Sequence, residues 1–294
     1  MVRSKTGAAA FLRQAEQSQP LEPPLSEAKQ SFRDPLAMRV INKFTTLVRA
    51  TPLGLATYRQ MTRQEPQFEC PACGFQGAFV TLHAVYGDRK YAQCPKCGAL
   101  ERHRLMALVM KDVEKSYSFS GKDILHFAPE PFFAPALKAR ARSYRCSDLV
   151  MRNMDMRANL TDLPIESASV DVLLASFILQ YIADDMRALR EIRRVLRPGG
   201  LAVLPVTVVS DTTVEYPEPN MHESGGHVRA PGPDYFDRMA EVFSKVDVYT
   251  SKDYPESNQT YVFEDRAKWP TKEMPLRRSM FGEKHLEYVP ICWR

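Results

Sequence analysis

The chain has 294 residues, 44% of them hydrophobic and 26% charged, with a net charge of +5. That length supplies one large domain and a smaller one with ample material for a packed core, and the composition excludes a fibrous or wholly disordered chain. The longest apolar run, VLLASFILQYIA (172–183), is too short to cross a bilayer, so no transmembrane helix is expected.

The positive surplus sits at the N-terminus, where residues 1–62 hold nine Lys or Arg against four Asp or Glu. This basic arm reads first as a solvated tail and second as a contact for an acidic partner. MVRSKTGAAAFLRQA has the basic, Ser-containing, acid-free look of a transit peptide but lacks the apolar stretch of a secretory signal; the cytoplasm is the expected location. Residues 1–35, rich in Gln, Glu, Ser and Pro, read as a flexible arm. In DPLAMRVINKFTTLVRA, Val40, Ile41, Phe44, Leu47 and Val48 recur at helical spacing behind Asp34-Pro35. A helical segment over 36–66 is expected, with 36–62 packing on the body, on a second copy as a homodimer, or on another protein.

CPACG (Cys70, Cys73) and CPKCG (Cys94, Cys97) are two C-x₂-C knuckles separated by 20 residues. Glycine after the second cysteine of each lets thiolates and backbone amides converge on one ion. Four thiolates give a closed tetrahedral site, hence a structural Zn²⁺, one per chain; two disulfides are the competing reading, disfavoured in a large non-secreted chain. FVTLHAVYGDRKYAQC forms a hairpin between the knuckles, so residues 67–101 read as a zinc ribbon. Arg89, Lys90, Lys96, Arg102, His103 and Arg104 surround it, suited to gripping nucleic acid or bracing a neighbouring domain. Cys146 and Cys292 read as packing residues.

A helix, ERHRLMALVMKDVEKS, leads out of the ribbon. Beyond it the strands KDILHFA, SYRCSDL, VDVLLASF and GLAVLPVTV alternate with helices, one of them DDMRALREIRRVL ended by Pro198-Gly199-Gly200. SKVDVYTS and HLEYVPICWR add two more strands. The alternation predicts an α/β fold, a mostly parallel Rossmann-like sheet with helices on both faces.

The stretch MDMRANLTDLPIESASVDVLLASFILQYIADDMRALREIRRVLRPGGLAVLPV resembles the central half of a class I S-adenosylmethionine-dependent methyltransferase. With the ribbon and CGALERHR, the chain resembles zinc-ribbon methyltransferases over roughly 68 to 294. The resemblance implies a seven-stranded methyltransferase domain at 102–294 and S-adenosyl-L-methionine as cofactor. It also implies a variant cofactor loop, HFAPE, in place of the usual glycines. In that loop His126, Ala128, Pro129 and Glu130 are expected to meet the methionine end, Ala128 by its small size and Glu130 by pairing with the ammonium or sulfonium. Asp148 lies 20 residues after Ala128 and ends the second strand, where a carboxylate accepts the ribose hydroxyls; Leu149 follows it. Asn159 replaces the family's Asp opposite the adenine amino group, and the Leu160 amide faces the ring edge. Ser176 completes the cofactor set, with Arg102 or Arg104 as candidates for the cofactor carboxylate.

In the acceptor region Gln180 and Tyr181 replace a Glu-His pair of related sequences. MHESGGHVRAPGPDYFDRM resembles a family DHVR stretch with Gly226 in the Asp position. His227 is the expected general base, Arg229 an anion clamp on the substrate, Tyr181 an accessory catalytic group and His222 a weaker candidate; Asp211 and Glu215 read as solvated. The expected function is O- or N-methylation of a small-molecule or glycan acceptor. RNA methylation, with the ribbon and arm on phosphate, and a non-catalytic scaffold are the alternatives.

Overall fold

The structure, a computed structural model, describes residues 51–294 except 85–86, 150–152, 221–225, 272–274 and 276. The arm, the helix expected before residue 51, and His222 lie outside the described residues. Helix α1 (Pro52–Met61) begins at Thr51, whose side-chain oxygen accepts from the Gly54 amide at 3.1 Å, with proline in the first turn. Its Leu55 and Tyr58 pack on the ribbon core.

In the ribbon, β1 (Phe68–Glu69) pairs with β2 (Gln76–Gly77), and β3 (Val80–Ala84) with β4 (Gly87–Gln93), both antiparallel. Phe75 and Phe79 fill its small core beside the cysteines. Helix α2 (Glu101–Val113) starts four residues after Cys97.

The body is built on β5 (Asp123–Phe127), β6 (Ser143–Ser147), β7 (Val170–Ala175) and β8 (Leu196–Val203), which are parallel to one another. Every residue of β7 is buried, as a strand covered on both faces requires. Side chains alternate across it. Leu173 joins the layer under α4 (Asp185–Val195) and α5 (Tyr235–Val242), while Val172 and Leu174 join the layer under α2 and α3 (Ala134–Arg140). The turn RPGG between α4 and the paired part of β8 needs its second glycine: a Cβ on Gly200 would sit 2.8 Å from the Asp171 carbonyl oxygen.

After β8 the chain forms a hairpin, β9 (Val214–Asn220) and β10 (His227–Ala230). Pro217 and Pro219 hide that strand signal. The sheet then closes with β11 (Lys245–Thr250) and β14 (Tyr288–Trp293), giving the order β6-β5-β7-β8-β14-β11. β14 runs antiparallel to both its neighbours. First strand inside, order reversing beside it, last strand inserted antiparallel: this is the Rossmann-like class I methyltransferase arrangement. Six strands form the ladder, and the seventh position is marked by one parallel bridge, Ser147 to Met156. The ladder goes no further because Asn153 is left-handed (φ 63°) and the Asp155 carboxylate takes the Cys146 amide at 2.7 Å.

Between β11 and β14 the chain leaves the main sheet. There β12 (Val262–Phe263) and β13 (Lys284–His285) extend the ribbon hairpin to a four-stranded sheet ordered β13-β12-β4-β3. The segment between β11 and β14 thus completes the ribbon's sheet, which stays separate from the six-stranded sheet of the body.

Candidate functional site

Four sulfurs about a zinc at ~2.3 Å stand about 3.8 Å apart. Cys70 Sγ lies 3.8 Å from Cys97 Sγ and Cys73 Sγ 3.7 Å from Cys94 Sγ, with all four within 4.8 Å of one another. Gly74 and Gly98 take left-handed φ of 68° and 79°, so that their amides bond back to the carbonyls of Cys70 and Cys94. The separation is too long for disulfides, and the donor set fits a four-coordinate soft divalent ion. Cys292 is buried against Met239, as a packing residue; Cys146 is half-buried and donates to Asp155 at 3.2 Å.

The cleft lies at the carboxyl ends of β5, β6 and β7, where strand order reverses. Ala128 holds φ 46°, the left-handed conformation that a glycine would otherwise supply. Its amide bonds the Ser147 carbonyl at 2.9 Å, which joins the loop to the end of β6. Pro129 carries the chain into Glu130, whose carbonyl starts the turn toward α3 by accepting from Phe133 and Ala134. The Glu130 side chain is buried, with Oε2 2.7 Å from His126 Nε2. Its other oxygen, Oε1, is buried with no partner. Burial opposes ionisation there, but the His126 bond and charge, helped by the nearby Ser176 hydroxyl, outweigh it and hold the carboxyl below the usual range.

His126 is fully buried, held between Glu130 and the Tyr144 hydroxyl at 2.9 Å. It therefore does not reach the cleft, contrary to the expectation that it touches the cofactor; it orients Glu130. Asp148 is half-buried just past the end of β6, and Leu149 beside it is 60% exposed. Asn159 is exposed, and its Oδ1 already accepts from the Thr161 amide at 3.0 Å, so the oxygen expected to meet adenine is shared with its own turn. Leu160 is buried. Ser176, at the end of β7, turns its hydroxyl to Met106 Sδ at 3.5 Å. The next residue, Phe177, is left-handed as well (φ 58°).

Helix α2 roofs this end of the sheet. The Arg102 guanidinium lies 4.6 Å over the Phe177 ring, and His103 packs 5.0 Å from Phe132 and 6.4 Å from Phe177. Burial, then the neighbouring Arg102 charge, push His103 down to about 4. Arg104 is fully buried and its donors are spent on the carbonyls of Gln259, Ala92, Ala99 and Tyr91, which excludes it from any cofactor carboxylate. Of the two arginines considered for that carboxylate, Arg102 alone reaches the cleft side.

On the acceptor side the ring of Tyr181, half-exposed, meets His227 edge-on at 4.3 Å. His227 is buried and its Nδ1 has no partner; Gln180 Oε1 is likewise buried and unpartnered, its amide nitrogen 3.4 Å from Thr207 Oγ1. Burial and then the Arg277 charge push His227 down to about 4, so it is a neutral imidazole at physiological pH. Arg229 does not stand as the substrate clamp expected of it. It is 2% exposed and donates to the carbonyls of Leu179, Ile182 and Ala183 and to Glu215, with Asp185 at 3.5 Å. It fastens β10 to the segment after β7 and has no fork to offer a substrate anion. Glu215, expected to be solvated, is its partner.

A family model described as "Methyltransferase domain" matches residues 133–204, which run from the end of the Glu130 turn through β8. The matched segment is similar to a methyltransferase domain and lies on a sheet of Rossmann-like strand order. A Mycobacterium sp. (strain KMS) protein named "uncharacterized methyltransferase" is 37% identical over 100 residues, 30% of this chain and 40% of its own length. A Mycobacterium tuberculosis (strain H37Rv) protein named "probable S-adenosylmethionine-dependent methyltransferase" is 43% identical over 49 residues, 17% of this chain and 18% of its own length. The solved S-adenosylmethionine-dependent methyltransferase from Mesorhizobium loti is 14% identical with a TM-score of 0.43, covering 64% of this chain and 97% of that one. The chain thus spans 40% or less of the curated relatives quoted.

Sequence reasoning missed Phe177, Gln180 as an orphaned acceptor, and the inward role of His126. A β-strand residue followed four positions later by Glu, both beside a glycine-free turn, is the one signal that could have flagged the His126–Glu130 pair.

Proposed function

We propose that the chain transfers the methyl group of S-adenosyl-L-methionine to an oxygen or nitrogen nucleophile of a small-molecule or glycan acceptor, with a structural zinc on Cys70, Cys73, Cys94 and Cys97. The observation that carries the reading is Glu130 Oε1, a buried acceptor without a donor at the sheet's switch point, beside a left-handed Ala128. A buried unsatisfied carboxylate oxygen is costly and marks a place for a ligand's donor.

When bound, S-adenosyl-L-methionine supplies an electrophilic methyl on a sulfonium. Glu130 accepts from its ammonium, with His126 fixing the carboxylate. Arg102 faces its carboxylate, Asp148 takes the ribose hydroxyls, and Leu149, Asn159 and the Leu160 amide bound the base. Tyr181 and the His227 ring form the wall of the acceptor site. His227 Nδ1 and Gln180 Oε1 are both unfilled acceptors, so they would select a group with its own O–H or N–H, whose proton His227 would take. Orientation and exclusion of water supply the rest.

RNA as acceptor is less well supported. Of the basic residues around the ribbon, Arg89 is bound to Glu101 and Arg104 to four carbonyls, so neither is offered to phosphate. Calorimetry with S-adenosylhomocysteine tests the proposal: heat of binding that Asp148→Ala weakens at least tenfold is expected, and absence of heat in the zinc-loaded protein overturns it.

A further inference from the structure

Resting on that reading, we propose that the metal centre and the cofactor cleft are two ends of one element, α2, so that zinc occupancy sets cofactor affinity and bound cofactor in turn retains zinc. The first turn and a half of this helix alternates between the two sites. Glu101, fully buried, receives both donors of Arg89 from the ribbon at 3.0 Å each. Arg104, also fully buried, donates at 2.7 Å to the Ala99 carbonyl, which at 2.9 Å also accepts the amide of the metal-site residue Cys94. Between and beyond them, Arg102 and His103 meet Phe177 just past the end of β7, and the buried Met106 meets Ser176 there.

The helix start has little else to hold it. Leu100 has no side chain able to cap, and the Leu100 amide is instead taken by His103 Nδ1 at 3.1 Å, a cleft residue. In a four-cysteine ribbon the binding energy of the ion is folding energy, so its loss frees the knuckle that carries Ala99. Arg104 and Glu101 are then buried charges whose partners have moved, which drives the first turn of α2 to rearrange. Leu105, Met106, Val109, Met110 and Val113 stay anchored in the body's core, so the change stays local. Coupling between binding sites is reciprocal, hence the second half of the proposal.

The test uses the full chain, zinc-loaded or stripped by a chelator under reducing conditions, titrated with S-adenosylhomocysteine while circular dichroism and the thermal transition follow the body. Stripping should weaken binding about ten- to a hundred-fold with the body still folded. Saturating S-adenosylhomocysteine should hold zinc against a colorimetric chelator by the same factor. Glu101→Gln, whose four thiolates are intact, should keep its zinc yet bind S-adenosylhomocysteine more weakly. Affinity within twofold between loaded and stripped protein overturns the coupling and leaves the methyltransferase reading standing. No binding to the loaded protein overturns both. Should stripping unfold the body, chelator competition on loaded protein decides, and zinc retention unaffected by S-adenosylhomocysteine refutes the proposal.

Discussion

Arg229→Met separates the two roles that residue 229 has been given. As a substrate clamp, its loss would raise KM for the acceptor and leave the fold alone. As the structure has it, the side chain is 2% exposed and satisfies the carbonyls of Leu179, Ile182 and Ala183 at 2.8, 2.7 and 3.0 Å. It also stands 3.5 Å from Asp185, itself 3% exposed. Methionine fills the volume but donates nothing. Asp185 keeps Arg238 at 3.0 Å and the Tyr235 hydroxyl at 2.8 Å, which softens the loss; the half-exposed Glu215 contributes little. Removing one partner of a buried pair costs about 3–5 kcal/mol, and the orphaned carbonyls keep the figure in that range even after the loop relaxes. In a body of this size that is a fall in melting temperature of roughly 6–20 °C. Thermal and urea unfolding read it directly, and Arg229→Lys should fall between, restoring charge without the fork. A methionine variant melting within 2 °C of the parent, with acceptor KM alone raised, would refute the bracing role.

Replacing Cys94 by Ser should drop zinc, measured by atomic absorption, from one per chain toward none; retention of one per chain would exclude the four-thiolate site. Glu130→Gln keeps the shape and removes the charge, so S-adenosylhomocysteine affinity should fall about tenfold or more by calorimetry; unchanged affinity would detach Glu130 from the ammonium. His103 and His227 are held at about 4 in the fold against an ordinary 6.5. The unfolded chain therefore binds their protons first, and the stability they contribute is full above about pH 6.5 and lost as pH falls toward 4. Urea midpoints between pH 7.5 and 5 should decline, less steeply in His227→Phe; an equal decline in that variant would remove its share. The low value also predicts acceptor turnover by His227 that stays flat from pH 8 to 6, where an ordinary histidine would lose its base form.

The order of the body's elements was legible because β7 carries the apolar run Val172–Ala175 and α4 repeats Ala188, Leu189, Ile192 and Val195 at helical spacing. The knuckles were legible because four cysteines at that spacing have few other uses, and Asp148 because the distance from Ala128 measures one βαβ step. The hairpin β9–β10 was not, since its prolines and acids resemble a loop until Arg229 pairs with Glu215 across it. Nor was the sharing of a sheet by ribbon and C-terminal segment, because β12 and β13 are two residues each and carry no period. Direction was the other blind spot. A sequence shows that His126, Arg104 and Arg229 are chemically able to bind a ligand, and only packing shows that all three face inward.

On the proposed reading, the turn HFAPE is a cofactor loop that dispenses with glycine. A left-handed non-glycine residue costs about 1–2 kcal/mol, and such strain persists only where surrounding structure fixes it. Here Ala128 is fixed from both sides, by its amide on the Ser147 carbonyl and by Glu130, which His126 of β5 anchors. A glycine loop leaves room for backbone amides to meet the ligand but supplies no charge. This loop gives up that adaptability and gains a carboxylate whose second oxygen is already desolvated and waiting for a donor. Phe177 repeats the device at the end of β7, where its left-handed backbone presents a ring for Arg102 to lie on. On the proposed reading, the two strained residues thus help place Glu130 and Arg102, a pair of charges that matches in sign the ammonium and carboxylate of an amino-acid end.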